Sequence, residues 1–238
     1  MTAIPARFLP LGRLLVFSPL GLSLLDDFTG ERPIGFVNPT LQVETAPASG
    51  VWVATGVRGL FTNSGILAYP NLGRRGRVPS PPETLKNYRV LVTAQYYNPL
   101  YPGGPGSLGV IFSVTPYDDD SDFTMLVPTM VTLTLLPKAN YPYAGDASFL
   151  VGQAQRVSGD AVPALVTAVE PFDGTIDRRQ TRVLADQGGT FRLPLRWGDP
   201  SASTTVTATD PASGKSGQIS LSFPYDLSKP LTIRIPNP

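Results

Sequence analysis

The 238-residue chain has no cysteine and no histidine, and each absence removes a body of chemistry. Without a thiol there is no cysteine nucleophile and no disulfide scaffold. Without an imidazole there is no histidine general base and no zinc or iron site built on nitrogen and sulfur. Neither a Ser/His/Asp nor a Cys/His arrangement can be written from this alphabet. Charge of one sign is also missing: 19 basic residues face 18 acidic ones, so no overall field recruits nucleic acid or an anionic membrane. No run reaches the roughly 18 unbroken apolar residues of a membrane helix, and no window keeps a capped helical period. The expectation is a chain that is not an enzyme, carries no cofactor and does not insert in a membrane.

Proline, at 26 residues, and glycine, at 23, are abundant, and 42% of the chain is hydrophobic. Many short strands joined by many turns, over real cores, fit that mixture. The run Gly109 to Asp118, GVIFSVTPYD, is echoed at Gly217 to Asp226, GQISLSFPYD. Each alternates apolar and small polar residues and stops at Pro-Tyr-Asp, as a half-buried strand running into a turn does. A second pair of matches is Ser64 to Pro70 against Gly188 to Pro194, where two small residues make a tight reversal before a strand.

Further matches keep the same order. Phe36 to Glu44 corresponds to Leu165 to Glu170, Tyr88 to Tyr96 to Thr204–Thr209, and Val131 to Leu136 to Leu231–Ile235. Leu14 to Phe17 and Leu22 to Leu25 read as strand pieces, and Phe149 to Gln155 opens the second copy. The spacing therefore predicts an all-β chain of two tandem antiparallel β-sandwich domains. Residues 1–137 form the first, with an N-terminal extension and loop insertions, and residues 138–238 form the second. The junction is expected at Lys138 to Ala144.

In the second copy, Gly159, Val162-Pro163, Val166, Thr181, Asp186, Gly188-Gly189 and Phe191-Arg192-Leu193 resemble the pattern of carboxypeptidase-regulatory-like domains. The resemblance covers roughly residues 147 to 223, and the first copy joins it only through the internal repeat. It implies a transthyretin-like or Ig-like seven-strand sandwich and a role as spacer, docking module or assembly part. Trp197 to Ser203 stands where the family has a Gly-x-Tyr turn.

Arg7 and Arg13 precede LLVFSPLGLSLL, a basic segment before an apolar one of signal-peptide length. Ser18, Pro19 and Gly21 interrupt it, and Asp26-Asp27 stand where small residues should mark cleavage. A buried strand with a Pro-Gly break is the expected reading, with the chain in a cytoplasmic assembly or released particle rather than secreted through a signal peptide.

Asp118, Asp119, Asp120 and Asp122 offer hard oxygen ligands to calcium. No glycine sits at the sharp-turn position and no glutamate follows at bidentate distance, so a solvated loop is expected there and no metal. Arg74, Arg75 and Arg77, with Arg178, Arg179 and Arg182 in the second copy, read as two arginine-bearing loops suited to an acidic protein surface. Tyr97 and Tyr101, in the Gly/Pro-rich stretch YYNPLYPGGPG, and the isolated Trp52 are the candidate aromatic contacts. Segments found in one copy only are not required by the fold. Arg74, Arg75, Arg77, Tyr97 and Tyr101 are therefore expected to form a protein interface. The function expected is a structural or adaptor protein whose partners are other subunits of an assembly, by analogy a cap, baseplate or adaptor of a phage-tail-like contractile injection particle. The alternative is a secreted carbohydrate- or surface-binding module.

Overall fold

Strands form where apolar residues alternate, and the glycine- and proline-rich stretches between them turn the chain. The computed structural model describes residues 16–75, 85–103, 107–117, 127–145, 147–171, 178–195, 203–222 and 227–238. Every regular element among those residues is a strand. In the first sandwich one sheet runs β4 (Leu60–Phe61), β5 (Ile66–Ala68), β1 (Leu20–Asp26), β9 (Thr129–Pro137), β7 (Tyr97–Leu100). The other runs β3 (Trp52–Ala54), β2 (Val37–Glu44), β6 (Lys86–Ala94), β8 (Val110–Val114). The second sandwich has the sheets β13 (Thr190–Leu195), β10 (Ser148–Arg156), β16 (Leu231–Ile235) and β12 (Arg178–Leu184), β11 (Leu165–Pro171), β14 (Thr204–Thr209), β15 (Ser216–Leu221).

The repeat is visible in the pairing itself. β1 lies between an antiparallel β5 and a parallel β9, and β10 lies between an antiparallel β13 and a parallel β16. The order β3-β2-β6-β8 recurs as β12-β11-β14-β15, and β4 and β7 are additions of the first copy. Each copy has its own core. Leu20, Leu22, Leu24, Leu67, Val90, Val92 and Phe112 belong to one cluster, and Leu150, Val166, Val183, Phe191, Leu193 and Val206 to another.

The reversal before β5 and its counterpart before β13 share one construction. Thr62 N donates to Ile66 O and Gly65 N to Thr62 O, while Ile66 N reaches Thr62 Oγ1 at 3.1 Å. Asp186 N likewise donates to Thr190 O, Gly189 N to Asp186 O, and Thr190 N to Asp186 Oδ1 at 2.8 Å. Gly65 and Gly189 sit at φ 81° and 75°, the left-handed region that glycine enters without a Cβ penalty.

Three expectations need correction. The ten-residue echo identifies equivalent strands but in the wrong phase. Val110, Phe112 and Val114 face the first core, whereas Gly217 and Leu221 are buried in the second and Ile219 packs against it. Aligning Gly109 with Gly217 thus matches exposed Ile111 to inward Ile219, because a one-residue slip reverses every side chain of a strand. The N-terminal strand begins at Leu20: Val16 and Phe17 are not in a strand, and Leu14 and Leu15 lie outside the described residues. β3, β4, β7 and β12 fall in stretches without a clear strand pattern, and Arg178, Arg179 and Arg182 stand on β12 rather than in a loop.

The junction is packed rather than loose. Phe28, Tyr141, Tyr143 and Phe149 form a chain of ring contacts with centroids 4.5 to 5.9 Å apart, and the Arg192 guanidinium lies 3.6 Å over Phe149. β12 packs on β9. Leu133 and Leu135 point into the first core, so Leu136 points outward, yet it is only 1% exposed and belongs to neither cluster. Asp27, just past β1, receives both Nε and Nη2 of Arg182. A bidentate pair fixes orientation as well as distance.

Candidate protein-interaction sites

Tyr97, expected as an exposed anchor, is wholly buried. Its hydroxyl donates to Asp26 Oδ2 at 3.0 Å and accepts from Ile34 N at 3.0 Å. Tyr141 donates to the same carboxylate oxygen at 2.7 Å, while Asp26 Oδ1 accepts from Phe28 N at 2.8 Å. Asp26, 1% exposed, is thus a satisfied buried acid that closes the turn after β1. Burial pushes the Tyr97 hydroxyl up to about 12, and the adjoining Asp26 carboxylate works the same way, while the Ile34 amide opposes it. Burial and Asp26 also raise Tyr141.

Tyr101 is half-buried against the first core. Its hydroxyl accepts from Val92 N at 2.8 Å and faces Val92 O at 3.3 Å. Both tyrosines hold the fold, and Tyr97, wholly buried, is not an exposed anchor. The alternation that marks strands is broken in YYNPLYP, so nothing local distinguished a core tyrosine from a loop one.

Arg74 is exposed and Arg75 half-buried. The backbone here pairs with Tyr117 of the Pro-Tyr-Asp motif, Arg75 N donating to Tyr117 O and Tyr117 N to Gly73 O. Arg77, and Asp118, Asp119, Asp120 and Asp122, lie outside the described residues. Among the described residues no group of three metal-ligating side chains comes together.

Trp52 sits on the outer face of the β3-β2-β6-β8 sheet with the Arg89 guanidinium 4.7 Å from its ring centroid. Arg89 donates to Gln42 Oε1 through Nε at 3.0 Å and Nη2 at 2.6 Å. Alongside, Asn87 donates to Glu44 Oε2 and accepts from Ser113 Oγ, both at 2.8 Å. The Asn87 amide holds the Glu44 carboxyl below its usual range, and the Gly50 amide assists. This polar comb had no sequence signal beyond the isolated tryptophan, because its members come from four strands.

Apolar exposure gathers where residues 33–37 face β4. Phe36 is 68% exposed, Leu60 61% and Phe61 49%, with Ile34 beside them. Here the two sheets part, leaving a cleft of about 400 Å³ with Leu24 and Val37 in its lining and Phe36 and Phe61 among the wall residues. The walls are fixed by hydrogen bonds to backbone groups. Ile34 N reaches Tyr97, Gln95 N donates to Phe36 O at 2.9 Å, and Arg32 Nη2 donates to Asn63 O at 3.1 Å. These apolar groups are held out of the core by a rigid frame.

No family model matches the chain, and no curated protein matches it. Among solved structures it is similar to the TIE protein of Bacillus anthracis, at 10% identity and TM-score 0.26, covering 93% of this chain and 33% of that one. It is similar to the shaft pilin SpaA of Lactobacillus rhamnosus GG, at 12% identity and TM-score 0.27, covering 91% and 96%. A streptococcal ancillary pilin follows at 15% identity and TM-score 0.27, covering 92% and 62%. The chain thus spans a third of the Bacillus protein and nearly all of the Lactobacillus pilin.

Proposed function

We propose that this protein is a non-catalytic structural or adaptor part of a multi-protein assembly, a rod of two sandwiches that holds neighbouring proteins at a set spacing and angle. The weld between the sandwiches carries this reading. A buried Leu136, a bidentate Asp27–Arg182 pair and a run of aromatic contacts through the linker fix one domain on the other, whereas separate binding modules need only a flexible tether. The buried acids support it too. Asp26 is used by tyrosines and backbone, and Asp210 by Arg156, Ser213 and Ala212, so neither is available as a base.

Within that class the finer assignment is a cap, baseplate or adaptor subunit of a phage-tail-like contractile particle, assembled in the cytoplasm and bound to other protein subunits rather than nucleic acid. The second sandwich is assigned to the carboxypeptidase-regulatory-like domains. Gly159 at φ 98°, Val162, Val166, Gly189, Phe191 and Leu193 at turn and core positions support this. The chain, tagged in its native host, should co-purify with a fixed set of proteins as one particle. Recovery as a lone chain would remove the assembly reading. The boundary between residues 137 and 138 is tested by a fragment of residues 138–238, which should melt cooperatively on its own.

One arrangement favours a second reading, a carbohydrate- or surface-binding module. The Trp52 ring beside Gln42, Glu44 and Asn87 combines an aromatic face with fixed polar groups, the kind of mixture that orients a ligand. Binding on an oligosaccharide array that disappears in Trp52→Ala would establish it.

A further inference from the structure

Sheet edges attract other chains, and native proteins blunt them with proline, charge or brevity. Among the edge strands β7 carries Pro99, β13 Pro194, β12 Arg182 and β16 Arg234, whereas β3, β8 and β15 carry neither proline nor charge. β4 is short but has neither proline nor charge, and both its side chains are about half exposed or more. One side of β4 is bonded to β5, and the other has no strand partner among the described residues.

β4 also borders the seam where the sheets part. Phe61 is paired with Leu67, an inward residue of β5, so its ring lies on the core side of the sheet at the lip of the cleft. Phe36 stands opposite, on a segment whose backbone is pinned to Gln95 and Tyr97. A strand laid along the free edge of β4 would direct alternate side chains between these two rings.

Charge selects among occupants. Among the described residues Arg32 is the one charged residue lining the seam, and Arg58 stands two residues before β4. A second copy would bring arginine against arginine. The chain's own residues 1–15 hold Arg7 and Arg13 and no acid. We propose that the seam between Phe36 and Phe61 is a docking site for an extended segment of a partner protein, which adds to β4 as a further strand and turns both apolar side chains and a carboxylate to the cleft. The segment's backbone would supply hydrogen bonds to β4, its cleft-facing apolar side chains would enter between the two rings, and a carboxylate on the same face would meet Arg32. The proposal depends on the adaptor reading only in taking the occupant to be a protein.

Seven features of the first copy bear on this and none recurs in the second: Ile34, Phe36, Leu60 and Phe61 exposed, Arg32 and Arg58 beside them, and β4 itself. The corresponding connection of the second copy, residues 185–189, is a tight turn closed on Asp186.

The test is a titration of the full chain into a short fluorescein-labelled peptide whose every second residue is valine or glutamate in turn, with serine between them, followed by anisotropy. Saturable binding is expected, weakened about tenfold or more in Phe36→Ser and in Phe61→Ser. Phe36→Ser should keep the wild-type melting temperature, since that ring is largely exposed, and Phe61→Ser, half-buried, should lower it only slightly. A valine/lysine peptide should bind far more weakly. The proposal is overturned by no saturable binding, by equal binding of the lysine peptide, or by unchanged affinity in both variants. It is also overturned if affinity rises when Phe8 and Leu9 are together replaced by serine, since the seam would then be held by the chain's own N-terminal segment. If wild-type and Phe61→Ser chains bring down the same partners from the host and the peptide does not bind, the seam fails and the adaptor reading stands. If nothing co-purifies but the peptide binds at the seam, the reverse holds.

Discussion

The two sandwiches solve one problem at the same place with different chemistry. β1 ends on Asp26 and β10 on Arg156, each opposite the end of a parallel last strand, at Leu135 and Ile235. Each begins a tight turn, with Asp26 N donating to Glu31 O and Arg156 N to Asp160 O. In the first copy the strand end is an acid held by Tyr97 and Tyr141. In the second it is a base held by Asp210 at 3.0 Å. The fold demands that the polar group at this end be satisfied, and is indifferent to its sign. Of what the copies do not share, β7 brings Tyr97 into the first core, whereas Leu60 and Phe61 of β4 and the exposed Phe36 belong to neither core cluster.

The largest expected effect comes from the shared turn. Gly65 and Gly189 have the same left-handed backbone, but a Cβ on Gly65 would meet the flexible Arg32 side chain at 2.6 Å, whereas one on Gly189 would run into the Ala154 carbonyl oxygen. Gly65→Ala should cost about 1–2 kcal/mol from backbone strain alone, and Gly189→Ala more than about 3 kcal/mol. Equal losses in urea melts would mean that the two turns are not as differently packed as their surroundings indicate.

Next come the two fully buried tyrosines of the first core. Tyr97→Phe strips a donor from Asp26 and an acceptor from Ile34 N, and should destabilise by about 1–3 kcal/mol. The Tyr69 hydroxyl is buried without a hydrogen-bond partner among the described residues, so Tyr69→Phe should leave stability unchanged or raise it slightly. A loss in Tyr69→Phe as large as in Tyr97→Phe would break this distinction.

The two strand-end locks should also part in their pH dependence. A hydroxyl raised on folding contributes stability that is complete below its unfolded pKa and lost as pH rises through the folded one. For Tyr97 that window runs from about 10 to about 12. Burial would raise the Asp210 carboxyl, but the Ala212 amide, Ser213 and Arg156 outweigh it and leave it below its usual value. Its contribution is present above the ordinary carboxylate pKa and lost as pH falls through the lowered one. Melting temperatures should therefore drop at alkaline pH less in Tyr97→Phe than in the wild type, and at acid pH less in Asp210→Asn than in the wild type. A wild-type-like profile in either variant would remove that group from the account.

The smallest effect on stability is expected at the weld. The Asp27–Arg182 pair is partly exposed on the arginine side, so Arg182→Ala should cost no more than about 1 kcal/mol. It should nonetheless widen the interdomain distance distribution in small-angle scattering, and an unchanged profile would assign the weld to Leu136 and the aromatic chain alone.

The alternation of apolar residues and the glycine reversals made the tandem sandwich legible, because a strand's period and a turn's φ are local properties of the chain. Glu44 and Glu170, Gly65 and Gly189, and the last strands of both copies lie in equivalent elements for that reason. The phase of the GVIFSVTPYD echo was not legible, since which side of β8 faces inward depends on its partner β6 and not on its own composition. Tyr97 illustrates the same limit at a candidate site. Its neighbours in sequence are prolines, tyrosines and glycines typical of a surface loop, yet it is buried by Asp26 and Ile34, which lie far away along the chain. The sequence alone determined that the chain is all-β, repeated, and without histidine or cysteine chemistry. Only the tertiary structure decided which tyrosines are core, that Arg182 ties two domains together, and where Phe36 and Phe61 are left facing solvent, because burial is a property of the packed whole and is not carried by any single segment.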